Sequence, residues 1–395
     1  MSVPALPARS RLRGMEGLRG VAAVSIVVYH SWLHGLRGRG VGIGPVDDGL
    51  RHLSAAVLLF FTLSGLLLYR PFAAAIVRAD PLPDRGRYLR NRFLRIFPAY
   101  VVVLLTVGLV LRVAIVPDGP SVLTIGSMLD HPAALLSDLL LVQSYQPATF
   151  LTGVGPAWTL SIEVAFYLAL PLVAAVAHQF AARRARRVRL VLALAPALAF
   201  LLLGLIGKAV GQVAFDGTAG WDRSWQTVVA RSFLANADLF AFGMAVAVLV
   251  VAQADGAVRL PRRWRPVTLA AAAITAALAL SVPEGVLGNP RYDLFAAATS
   301  ALVVAALVLA PADPSNAIIR GLEHPSMVAA GLVSYSLYLW HEPLIFWLER
   351  RGLLTGSGVS GLLTVVALVG VAAGSLAALS YRWVERPALR RRARP

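Results

Sequence analysis

The chain of 395 residues is 58% hydrophobic and only 14% charged, which leaves too little polar surface to cover a water-soluble globule of that size and makes the bilayer its natural solvent. A net charge of +17 on a soluble domain would suggest nucleic acid, but here the arginines cluster between apolar runs. The densest cluster, Arg183 to Arg189, holds no aromatic residue, so it reads as membrane-topology charge. With no cysteine, disulfides, thiolate catalysis and thiolate-held metals are excluded.

Apolar runs predict spans at roughly 14–34, 53–70, 97–116, 157–178, 190–210, 228–252, 267–282, 292–311, 328–348 and 358–381. One further stretch, Ala133 to Tyr145, has about 13 residues, a length typical of re-entrant or interfacial segments. The basic clusters at Arg9 to Arg13, Arg85 to Arg95, Arg183 to Arg189, Arg259 to Arg265 and Arg386 to Arg394 all fall on one side only if that stretch does not cross. Two smaller patches, Arg37 with Arg39 and Arg350 with Arg351, land on the other side and are outnumbered. The expected fold is therefore all-α, a single integral membrane domain over residues 1–395. It is a bundle of about ten transmembrane helices plus one short re-entrant or interfacial segment, with both termini cytoplasmic and a basic tail from about residue 382. Arg9, Arg11 and Arg13 lead into a long span with no small-residue cleavage site, so the first span is expected to stay in the mature protein. Lys208 is the only lysine, a bias that suggests a GC-rich bacterial genome and a bacterial plasma membrane.

The first span carries Glu16, Arg19 and His30 in an otherwise apolar helix, where ionisable groups are costly. Arg19 and His30 are eleven residues apart, close to three full turns, so they share a face about 16 Å apart along the axis. A neutral imidazole, titrating near ~6.5 when unperturbed, suits a general base, whereas a guanidinium suits phosphate or a developing oxyanion. The competing structural reading is a Glu16 to Arg19 pair and a histidine that satisfies a carbonyl.

The second span ends the run Phe60 to Tyr69, in which Ser64-Gly65 reads as a packing notch. A long basic loop is expected from Arg70 to Arg95, and Arg92 and Arg95, one turn apart, form a cationic patch able either to snorkel or to hold phosphates. The fourth span opens with Trp158 to Tyr167 and places Glu163 about two turns in, at a depth comparable to His30, where a carboxylate either orients the imidazole or pairs with an arginine. The ninth carries His341 and Glu342 in its outer half, as substrate contacts or as capping residues. His30 and His34 at i,i+4 form at most a weak metal pair with Glu163 as a conceivable third ligand, and no metal is expected.

Taken together, Met15-Glu-Gly-Leu-Arg-Gly20 with His30, Phe60-Phe-Thr-Leu-Ser-Gly65, Arg90 to Pro98, Trp158-Thr-Leu-Ser-Ile-Glu163, Tyr338-Leu-Trp-His341 and Ser380-Tyr-Arg-Trp-Val-Glu-Arg-Pro387 resemble the acyltransferase 3 family of membrane acyltransferases. Six motifs in one order, spread over nearly the whole chain, make the resemblance specific. It implies transfer of an acyl group, usually acetyl from acetyl-CoA, to a hydroxyl of a carbohydrate, cell-envelope glycan or glycosylated secondary metabolite. It also implies that Arg19 and His30 are essential and that Arg92 and Arg95 are the paired arginines before the third span. Some relatives fuse an SGNH esterase-like domain after the bundle; a stand-alone form is expected here. Two positions depart from the family pattern: Glu16 stands where Asp is common, and Val164 and Ala165 follow Glu163 where acidic and amide residues are common.

The expected site therefore has His30 as general base or acyl carrier, with Arg19 and Glu163 beside it. Arg92, Arg95 and Arg19 face acyl-CoA, and Trp158, Ser161, His341 and Glu16 face the acceptor. Membrane lipid completes the set of partners. The rival function is a proton-coupled transporter or flippase of a lipid or sugar with His30, Glu163 and His341 as relay, against which stands the lack of internal repeats.

Overall fold

The computed structural model describes residues 12–118, 122–215, 220–283, 289–309 and 317–391. Arg9, Arg11 and the last residues of the basic tail, counted above in the terminal clusters, lie outside these residues. A helix of 17 residues or more overlaps each expected span. These helices are α1 (Met15–Leu33), α2 (Ala56–Arg78), α3 (Arg85–Leu105), α4 (Trp158–Ala181), α5 (Ala195–Ala214), α6 (Asp238–Ala254), α7 (Trp264–Leu280), α8 (Pro290–Val308), α9 (Pro325–Arg350) and α10 (Gly358–Ser380). Six helical stretches, Val46–Arg78, Arg85–Leu111, Gly155–Ala181, Arg186–Ala214, Pro290–Val308 and Gly358–Arg390, are long and apolar enough to cross a bilayer, and α6 and α7 are shorter apolar helices. The polar residues of α1 and α9 keep them out of that set, and these two helices pack against each other inside the bundle.

That contact depends on glycine. A Cβ at Gly331 of α9 would collide with the backbone carbonyl of Glu16, and one at Gly20 of α1 would sit 2.7 Å from the Met327 carbonyl oxygen. Small residues let the two backbones touch, as in close membrane helix pairs. Consequently the face of α1 bearing Arg19 and His30 is held against the rest of the bundle instead of facing lipid.

Three details differ from the expected span pattern. The long basic loop shrinks to residues 79–84, because α2 continues through Arg78 and α3 starts at Arg85, where the Asp84 carboxylate accepts the Arg87 N–H at 2.7 Å. Arg92 and Arg95 thus stand on a helix. The span expected at 228–252 begins only at Asp238, since Ser224 and Ser232 cap two short helices, Trp225–Ala230 and Phe233–Asn236. Finally, the all-α reading lacks a small antiparallel pair, Ala114–Ile115 with Ile125–Gly126, to which Gly153 is bridged through Ile115.

The short apolar stretch after it forms Pro132–Leu139, eight residues or about 12 Å of helix, followed by single turns up to α4. It is too short to cross. Asp138 is fully buried within it, accepts the Thr152 hydroxyl at 3.0 Å, and is pushed up to about 8 by that burial.

The bundle has two distinct ends. At one, Arg78 forms a double contact with Asp255, Arg189 donates to the Val77 carbonyl and the His178 ring donates to the Asp80 carbonyl. The basic segments after α2, α4 and α6 therefore gather together, as the charge pattern requires. At the other, Arg350 reaches the carbonyls of Arg112 and Ile125, and Arg223 those of Val116 and Pro117.

Candidate active site

Two groups of polar side chains occupy the interior, one along each half of the face that α1 turns to the bundle. The first surrounds a cavity of about 160 Å³ lined by Arg19, Ser64, Arg92, Arg95, Glu163 and Tyr338, with Thr159, Tyr167, Ser334, Tyr335 and apolar side chains completing its wall. An engineered cavity of ~150 Å³ holds a benzene molecule, so the space suits a small acyl group and its thioester. Glu16 lies 3.3 Å from Arg19 Nη1, the i,i+3 pair that the sequence suggested. Arg92 lies over the Tyr88 ring, 5.9 Å from its centroid, and its buried Nε has no hydrogen-bond partner among the described residues.

Arg95 is held differently. Its Nη1 donates at 2.8 Å to Glu385, whose other oxygen accepts the Ser336 hydroxyl at 2.5 Å, and its guanidinium lies 5.4 Å from the Tyr335 ring centroid. Glu385 is buried and comes from the π-helical turn Tyr381–Glu385 that follows α10. In the sequence Glu385 stands out only as a lone acid inside the basic tail, a pattern that assigns it no partner.

Glu163 accepts from Ser64 at 2.8 Å and from Tyr167 at 3.0 Å, tying α2 to α4 beside the arginines. The packing notch at Ser64-Gly65 thus divides its work. Gly65 lies against the Phe240 carbonyl of α6, while Ser64 turns its hydroxyl to the cavity carboxylate.

The second group is built on histidine. His30 Nδ1 and His341 Nε2 lie 2.8 Å apart, and His341 Nδ1 faces the Leu337 carbonyl at 3.3 Å. A carbonyl only accepts, so a neutral His341 carries its proton on Nδ1 and offers Nε2 as an acceptor. His30 must then donate from Nδ1, which leaves its Nε2 lone pair free. The partner that fixes the His30 ring is therefore His341, and Glu163 stays with Ser64 and Tyr167. One turn further along α1, His34 Nε2 lies 3.0 Å from the Glu342 carboxylate.

Tyr338 connects the groups. It lines the cavity, its ring centroid is 5.8 Å from that of His341, and its hydroxyl meets Thr159 at 3.1 Å and the Pro156 carbonyl at 3.2 Å. Arg19, Arg92, Arg95 and Glu163 are thus brought to one cavity, with His30 and His341 beyond Tyr338. Trp158 and Ser161 do not line that cavity: Ser161 donates to the Leu141 carbonyl at 2.8 Å, and Trp158 packs edge-on to Trp221.

The family model for acyltransferase 3, described as an acyltransferase domain, matches residues 12–380. The chain is 34% identical over 168 residues to acyltransferase MdmB of Streptomyces mycarofaciens, covering 41% of this chain and 39% of that protein. It is 24% identical to O-acetyltransferase OatA of Staphylococcus aureus over 386 residues, 95% of this chain and 57% of that one. With the exopolysaccharide production protein ExoZ of Rhizobium meliloti it shares 28% identity over 342 residues, 86% of this chain and 90% of that one. The chain thus spans less than two thirds of the length of MdmB and OatA. No solved structure matches it. The chain belongs to the acyltransferase 3 family and is a multi-pass membrane protein.

Proposed function

We propose that this protein is a membrane O-acyltransferase that moves an acyl group, acetyl in the simplest case, from acyl-CoA to a hydroxyl of a carbohydrate. The observation that carries the reading is the convergence of Arg19, Arg92, Arg95 and Glu163 on one small cavity, with the unblocked nitrogen of His30 just beyond it. Ten spans set the bundle in a bacterial plasma membrane, with the short stretch between α3 and α4 staying on the outer side and the arginine-rich loops and both termini in the cytoplasm. Acyl-CoA enters from the cytoplasmic end and lays its phosphates on Arg92 and Arg95, where planar guanidinium groups match phosphate oxygens. The thioester reaches into the cavity past Arg19, whose guanidinium draws the anionic donor inward.

An acceptor hydroxyl approaches from the outer side. His30 Nε2 takes its proton, the oxygen attacks the thioester carbonyl, the carbon–sulfur bond breaks, and the CoA thiolate leaves toward the cytoplasm. His341 supports the step by accepting the Nδ1 hydrogen of His30, which keeps the ring in the useful tautomer. The Rhizobium relative, an exopolysaccharide production protein by name, supports a polysaccharide or other glycan hydroxyl as acceptor. Acetyl-CoA binding to the purified protein tests the reading. Saturable binding that Arg95→Ala weakens is expected, and absence of binding together with proton-coupled sugar flux would make the protein a transporter.

A further inference from the structure

The reading of His30 as a base leaves two groups beside it unused, the partly buried His34 and the buried Glu342. His30 and His34 stand one turn apart on α1 with rings parallel, centroids 5.5 Å apart and planes within 3°. Glu342 crosses to them from α9. One ligand atom from each of His30, His34 and Glu342 lies within 4.8 Å of the others. Tetrahedral zinc, at about 2.0–2.2 Å from each nitrogen or oxygen, separates its ligands by about 3.3 Å. The His34 to Glu342 contact, at 3.0 Å, is already near that spacing. The widest separation closes by about 1.5 Å, within reach of side-chain rotation.

Two further observations point to a cation. Glu342 is only 5% exposed, and its Oε2 has no hydrogen-bond partner among the described residues, so His34 is its one close counter-group. A buried carboxylate so thinly compensated favours a neighbouring positive charge. The Nδ1 hydrogen of His30 is spent on His341, which in turn faces the Leu337 carbonyl. That is the outer-shell arrangement that orients a metal-binding histidine through its other nitrogen.

We infer that His30, His34 and Glu342 form a zinc-binding site whose occupancy blocks acyl transfer. Two imidazoles and one carboxylate suit Zn²⁺ far better than Mg²⁺ or Ca²⁺, which prefer all-oxygen shells. The inference rests on the proposed role of His30 for its functional half, because a metal on His30 Nε2 occupies the lone pair that would take the acceptor's proton. Its binding half is independent of turnover.

Equilibrium dialysis of the full-length, chelator-washed protein against Zn²⁺, with Mg²⁺ as control, reads the site directly. One zinc per chain with micromolar affinity is expected, at least tenfold weaker in Glu342→Gln and in His34→Ala. Membranes carrying the wild type should lose CoA-thiol release from acetyl-CoA on addition of Zn²⁺ and regain it with chelator, while His34→Ala resists the inhibition. Failure of the wild type to bind zinc overturns the inference whatever the variants do. So does equal binding by both variants. Bound zinc that leaves transfer unchanged, with transfer still dependent on His30, overturns the blocking role and leaves the acyl-transfer reading intact, whereas stimulation by zinc overturns both the blocking role and His30 as a free base.

Discussion

The inner pair α1 and α9 and the outer helices α5, α7 and α10 obey opposite rules. In α5 only four of 20 residues are buried, and in α7 only two of 17. Their apolar side chains, such as Leu198, Val213, Val267 and Ile274, face outward, with Val371 doing the same on α10. In α1 about half of the 19-residue helix is buried, its ionisable residues being only partly exposed, and α9 buries His341 and Glu342. Lipid selects composition on the outer helices, whereas packing and hydrogen bonding select individual residues on the inner pair. The difference explains why the helices with most chemistry are the least membrane-like by hydropathy.

The sharpest way to break that comparison is with glycine. Gly331→Leu should prevent α1 from seating on α9 and abolish both folded protein in membranes and acyl transfer, since the added side chain meets the Glu16 backbone. Gly370→Leu on α10, where nothing lies within 4 Å, should accumulate and work normally. Equal behaviour of the two variants in a detergent-extraction assay would erase the distinction between inner and outer helices.

Next in size is His341→Phe, which removes the acceptor of the His30 Nδ1 hydrogen. Its kcat should fall by about tenfold to a hundredfold with KM for acetyl-CoA unchanged, the signature of a positioning residue and within the range of general-base effects. A change in KM alone would place His341 with substrate binding instead. Glu385→Gln should do the reverse. It keeps the Ser336 hydrogen bond but removes the charge that holds Arg95, so acetyl-CoA affinity should weaken about tenfold, or ~1.4 kcal/mol, in a binding titration.

A further effect lies outside both regions. Asp138, raised by burial to about 8 from the usual ~3.9 of an unfolded aspartate, binds its proton more tightly in the folded state. Its contribution to stability is therefore full below about pH 4 and is lost as pH rises toward 8. Thermal unfolding of the wild type should show a larger drop in Tm between pH 5 and 8 than Asp138→Asn, and identical slopes would contradict the assignment.

Much of this was legible in sequence, for definite reasons. Span positions follow from apolar length, and the gathering of basic loops at one end follows from the spacing of arginines. Arg19, Arg92 and Arg95 could be singled out because charge in or beside a span is costly. Partnerships were harder to read. Glu163 looked able to orient His30 because both were placed at similar depth, yet depth says nothing of the helix face, and Ser64 and Tyr167 lie nearer to its carboxylate. His341 and His30 are 311 positions apart, and only the glycine-mediated crossing of α1 and α9 brings them together. Glu385 was hidden by its basic surroundings. The helical start of α3 was obscured by the arginines that suggested a loop, although Asp84 at its cap was a readable sign.

The central claim is that His30 Nε2 takes the acceptor's proton while the arginine cavity holds the donor. Acyl transfer and acetyl-CoA binding measured side by side on His30→Ala in proteoliposomes test it most directly. The account predicts binding equal to wild type with transfer reduced at least a hundredfold, consistent with loss of a general base. Transfer at the wild-type rate by His30→Ala would contradict it.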